Sequence, residues 1–240
     1  MKKLKNTLIG FVAAISLTSV AYAGSFGLGV TGSYTKINAS GSETESTVTG
    51  VTTSGEVTSS SVDDNAIIGS IYAEYSFDDA SWGAAGNGIT FGASYTPGTA
   101  DVSDKVRSRT DTITKDADIS AAGSSTYKAQ AEVENYQNFY IELPLWKSIY
   151  VKAGMSQIDV NTKESNTTND SKAQGTYGNK TLDGTNLGIG LKGVTSNNIV
   201  WKLAYEETDF DTLNLTSSTS NTIKADLDTE AVSLSIGYRF

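Results

Sequence analysis

The chain has no cysteine and no histidine among its 240 residues, and only two prolines. Without cysteine there is no disulfide framework and no thiolate metal site. Without histidine, Ser–His triads, histidine general bases and His-ligated zinc are all excluded. The chain also lacks any run of about 20 apolar residues, the length a membrane-spanning helix needs. The apolar stretch at 8–20 is too short for that. Basic charge is scarce: 18 Lys and Arg stand against 27 Asp and Glu, a net charge of −9. Such a chain cannot neutralise a run of phosphates, so nucleic acid is not a partner.

Several features are present instead. Lys2, Lys3 and Lys5 precede the short apolar stretch, and Ala21-Tyr22-Ala23 follows it. A basic region, a short apolar core and a small-x-small site form a secretory signal peptide. The expected cut falls after Ala23, leaving 24–240 as one mature domain. Loss of the three lysines takes the net charge from −9 to −12. Gly, Ser, Thr and Asn are abundant, which suits strands and turns better than long helices.

The most telling stretch is the last one. Val232, Leu234, Ile236, Tyr238 and Phe240 alternate with Ser233, Ser235, Gly237 and Arg239. One face is apolar and the other polar, which suits a wall with lipid outside and a wet interior. Seven earlier segments alternate in the same way, at 26–36, 67–77, 89–96, 129–143, 149–158, 186–194 and 199–207. Long and short connections also alternate. The long ones are 38–65, 97–128, 161–185 and 208–223; the short ones are 78–88, 144–148 and 195–198. The pattern predicts an all-β fold: an eight-stranded antiparallel up-and-down transmembrane β-barrel. It would carry four long extracellular loops and three short periplasmic turns, with both termini periplasmic.

Aromatic residues follow the same frame. Phe26, Phe77, Trp82, Trp146, Trp201, Tyr238 and Phe240 fall at the expected periplasmic ends, and Tyr34, Tyr95, Tyr127 and Tyr205 nearer the outer ends. Two belts at headgroup level are predicted. With the signal peptide, the strands, the loop lengths and the terminal Ile236-Gly-Tyr-Arg-Phe240, the chain resembles the eight-stranded outer-membrane barrels of the OmpA/OmpX and opacity-protein type. The resemblance is architectural. It implies a Gram-negative outer membrane with its lipid and lipopolysaccharide as surroundings. It also implies recognition of the C-terminal strand by the barrel-assembly machinery, through Tyr238 and Phe240.

The polar face of the strands turns Glu74, Glu142, Lys152, Lys192, Lys202, Glu206 and Arg239 inward, among small residues such as Gly27, Gly29, Gly188 and Gly190. Seven charges of nearly balanced sign in a narrow barrel must pair with one another. An eight-stranded barrel is just wide enough for its own side chains, so a polar plug with isolated waters and no open channel is expected. Acidic residues of the long connections (Asp101, Asp104, Asp111, Asp116, Asp118, Asp209, Asp211, Asp226, Asp228 and Glu230) match no calcium-loop spacing. They read as solvated surface charge, and no cofactor or metal is expected.

Two functions compete. One is a non-enzymatic barrel with an envelope-structural or surface-interaction role, its polar loops meeting an extracellular partner. The other is a small porin-like channel with a charged, mostly plugged lumen. An enzyme acting on lipid would need a Ser/Asp/Tyr site, and no such constellation stands out. A secreted β-solenoid is opposed by the lack of a fixed repeat.

Overall fold

The computed structural model describes residues 24–46, 55–77, 88–102, 107–113, 123–167, 176–218 and 220–240. The expected signal peptide, Trp82 and three of the loop aspartates (Asp104, Asp116 and Asp118) lie outside these residues.

Ten strands form one sheet: β1 (Gly24–Thr44), β2 (Val57–Phe77), β3 (Thr90–Asp101), β4 (Arg107–Ile113), β5 (Gly123–Trp146), β6 (Ile149–Thr167), β7 (Lys180–Val194), β8 (Ile199–Phe210), β9 (Leu213–Thr216) and β10 (Thr222–Arg239). Every pairing is antiparallel. The order β1-β2-β3-β5-β6-β7-β8-β10 closes on itself through β1–β10. Two of the ten are extensions: β4 pairs β5 beyond β3, and β9 pairs β10 beyond β8. The ring therefore has eight staves, and the up-and-down barrel expected from the alternation is the fold.

The two described short connections are tight. Thr195 N–H donates to the Ile199 carbonyl (2.8 Å), and Asn198 N–H to the Thr195 carbonyl (3.0 Å). Asn198 takes a left-handed φ of 61°, a conformation asparagine tolerates well. The other turn is centred on Lys147 and Ser148, shorter than the expected 144–148 because β5 runs on to Trp146. The start of β1 and the C-terminal residue lie at this rim too, where Phe240 N–H donates to the Phe26 carbonyl (2.7 Å).

The other rim differs most from expectation. The long connections are largely strand. β1 and β2 remain paired up to Thr44↔Val57, and β5 and β6 up to Thr126↔Thr167. Tyr127, expected in the outer belt, belongs to this ribbon, its backbone opposite Arg109 and Asn166. β1 and β2 run 21 residues each, against the ~9–11 that cross a bilayer. Above the bilayer both faces of a strand can be polar, so the period-two signal fades while the Ser/Thr-rich backbone stays extended.

Inside this upper barrel lies an apolar core of Ile37, Ile158, Val160, Leu182, Leu213, Leu215 and Leu227. The lumen is thus a polar plug only in its lower half, which corrects the expectation of a polar interior throughout. Side chains also lace the mouth: the Tyr177 hydroxyl donates to Glu43 Oε1 (2.7 Å), and Ser46 N–H to Asn221 Oδ1 (3.0 Å).

Candidate functional site: the lumen

Alternation decides what enters the lower lumen. On β2, Ile71 faces out while Tyr72 and Glu74 face in; on β8, Trp201 and Leu203 face out while Lys202 faces in. Outward apolar side chains stay exposed on the isolated barrel, with Leu28 at 46%, Ile189 at 51% and Leu234 at 61%. Tyr238–Phe240 and Tyr75–Phe77 ring pairs (centroids 5.1 Å apart in each) and the Phe26–Phe240 stack gird the lower rim. Tyr34 and Tyr205 share a row with Val232 nearer the outer side. Such a band cannot remain in water.

The inward charges form two groups. Glu74, Glu142, Lys192 and Lys202 make a neutral quartet, each almost fully buried. Lys202 pairs with Glu74 and, at 2.5 Å, with Glu142 Oε1. Lys192 lies 3.1 Å from Glu142 Oε2 and 4.0 Å from Glu74 Oε2, and donates to Thr90 Oγ1 (3.0 Å). Each charge therefore meets both opposite charges or both cations across the barrel, which offsets the several kcal/mol that desolvating each ion costs. Lys152 and Glu206 form the second group at 2.7 Å. Arg239 is buried on β10, in a row where Gly27 separates it from Glu74.

Sequence reasoning missed the aromatic part of the plug. The Tyr140 hydroxyl donates to Glu74 Oε1 (2.8 Å), and Lys152 Nζ sits 4.1 Å from the Tyr140 ring centroid. Lys202 Nζ lies 5.1, 5.8 and 5.9 Å from the Tyr72, Tyr140 and Tyr150 rings, within cation–π range. The inward glycines make room for these rings. A Cβ on Gly92 would strike Tyr140, one on Gly190 would strike Tyr150, and one on Gly29 or Gly237 would strike Tyr72. The signal was available: Tyr72, Tyr140 and Tyr150 occupy polar-face positions of their strands.

Above the quartet a cavity of about 260 Å³ opens, lined by Thr31, Ser33, Tyr72, Asn138, Asn186 and Ile37 among others. No grouping of acidic side chains suited to a metal ion occurs among the described residues.

A closed antiparallel ring of eight staves with an apolar belt outside and paired charges inside is a transmembrane β-barrel of the bacterial outer-membrane class. No family model matches the chain, and no curated protein matches it in sequence. Solved structures of similar fold include the outer membrane protease OmpT of Escherichia coli, at 9% identity, TM-score 0.43, covering 90% of this chain and 97% of that one. Ail, the attachment invasion locus protein of Yersinia pestis, is similar at 14% identity and TM-score 0.39, with coverage of 90% and 97%. OprG of Pseudomonas aeruginosa follows at 11% and 0.36, with coverage of 91% and 97%. At such values function rests on this chain's own residues.

Proposed function

We propose that this protein is a non-enzymatic barrel that holds a stiff, polar β-rim above the outer membrane for contact with an extracellular partner. The observation that carries the reading is the rim itself. Its strands run far past the apolar band and are braced by a core of their own. A wall that only sealed the membrane would need neither. The lumen is shut to ions, because the quartet and three tyrosines fill its lower half. Tyr238 and Phe240 serve as the recognition signal for the assembly machinery, and lipopolysaccharide surrounds the outer belt.

Topology is tested with single cysteines on intact cells, since the chain has no thiol of its own. Ser59→Cys and Lys163→Cys should react with a membrane-impermeant maleimide, and Ser148→Cys should not. Labelling of Ser148→Cys with protection of the other two would reverse the orientation and end the reading.

The channel reading has one observation in its favour, the cavity above the quartet. Planar-bilayer recordings decide it. The wild type, Lys202→Ala and Glu142→Ala should all give flat traces; steps in the wild type would establish a channel.

A further inference from the structure

The barrel wall is not evenly sealed. β2 and β3 pair over only six rows, Ile71↔Tyr95 to Ser76↔Thr90, whereas β1 and β2 stay paired up to Thr44↔Val57. Above Ile71, no described residue pairs with the free edge of β2. The cause is local. Pro97 has no N–H to give a ladder, Gly98 takes a φ of 96°, and the β3–β5 register shifts between Thr96 and Thr99. β3 therefore bends away from β2 and stays with β5. The seam starts at Tyr95, at the height of the outer belt. Six rows are fewer than the ~9–11 residues that cross a bilayer, so the slit faces the outer leaflet's interfacial zone.

The cavity runs into this slit. Its lining includes 67–70 of β2 and 96–100 of β3 as well as the far lumen wall. Ile67 points outward and is 89% exposed, yet it lines the same space. The volume, about 260 Å³, is near the lower end of small-molecule sites, roughly 300 Å³.

The chemistry of the walls defines the occupant. The upper wall is apolar, with Ile37, Ile158, Phe210 and Leu227. Lower down, the wall is rich in uncharged hydroxyls, with Thr31, Ser33, Thr35, Ser233 and Ser235. The nearby charges are already matched, Lys152 with Glu206 and Lys202 with Glu74 and Glu142. A charged head would thus add an uncompensated ion.

We propose that this cavity binds a small amphipathic molecule with an apolar body and an uncharged hydroxyl or amide head, which enters sideways from the outer leaflet between β2 and β3. The head hydrogen-bonds to wall hydroxyls such as Thr31 and Ser33, while the body packs under the apolar core. The site does not depend on the partner-binding role of the rim.

The test uses the mature chain in lipid nanodiscs, methyl-labelled for NMR and titrated with 1-octanol. Ile37 and Ile158 should show saturable shifts, and lipid-facing Ile189 and Leu234 only a linear drift. Octane, which lacks the head, should give no saturation. The pair Ser70→Cys/Thr96→Cys extends the ladder by one row. Oxidised, it should abolish the saturable shifts, and reduction should restore them, which makes the reduced form its own folding control. Ser33→Phe fills the cavity from β1, the stave beside β2, and should abolish them with the seam open. Linear drift at Ile37 and Ile158 in the wild type would overturn the site. Saturation by octane would overturn the polar head, and saturation in the oxidised pair would overturn lateral entry.

Discussion

The two halves of the barrel are built on the same strands with opposite polarity. In the lower half, β10 turns Val232, Leu234 and Ile236 outward and Ser233 and Ser235 inward. A few residues earlier the same strand turns Leu227 into the upper core, with Ile223 and Ala225 packed against it. β6 does likewise: Val151 and Met155 belong to the outer face, and Ile158 and Val160 to the interior. The apolar phase shifts by one residue along an unbroken strand. The strand is indifferent to which face is greasy, and the medium outside decides. Hydrocarbon below draws apolar groups out; water above drives them in.

The sharpest way to break this comparison is to attack each interior separately. Lys202→Ala leaves Glu74 and Glu142 short of a cation in a dry site and should destabilise by about 3–5 kcal/mol. Urea unfolding in micelles, followed by the heat-modifiable gel shift, measures it. Adding Glu74→Gln to Lys202→Ala should recover part of the loss, because one uncompensated charge is removed. Leu182→Ala, in the upper core, should cost about 2–5 kcal/mol. Its signature is faster amide exchange confined to the upper strands, with the lower barrel unchanged.

The exterior gives a paired prediction. Leu234→Lys, in the middle of the apolar band, should cost about 2–4 kcal/mol in a bilayer. Ser59→Lys, on the exposed upper part of β2, should be near neutral by the same refolding titration. A similarly small effect is expected at the Lys163–Glu132 pair, where the lysine is half exposed. Lys163→Ala should change stability by no more than about 1 kcal/mol.

The lower half was legible because its signal is simple. Alternation in 232–240 and 199–207, and short turns at 144–148 and 195–198, fixed the stave count and the inward charges together. The partnering of Glu142 with Lys192 and Lys202 across the lumen was not legible, since it depends on which staves face each other. The upper half reads as loop in the sequence for a physical reason. At 155–160 the apolar phase flips from Met155 to Ile158, and a flip looks like the end of a strand when one medium is assumed throughout. The Ser-rich runs 40–42 and 59–61 carry no apolar period at all, yet they pair row by row. The seam at Pro97 and Gly98 is hidden at the start of the long connection 97–128, because its meaning comes from β3 staying with β5 and leaving β2.

The phase flip marks the edge of the hydrocarbon. A lipid-soluble nitroxide, doxyl-stearate in nanodiscs, tests it through paramagnetic broadening of methyl signals. Strong broadening is expected at Leu28, Ile189 and Leu234 and none at Leu182, Leu213 and Leu227. Equal broadening of the two sets, or broadening of the second alone, would contradict it.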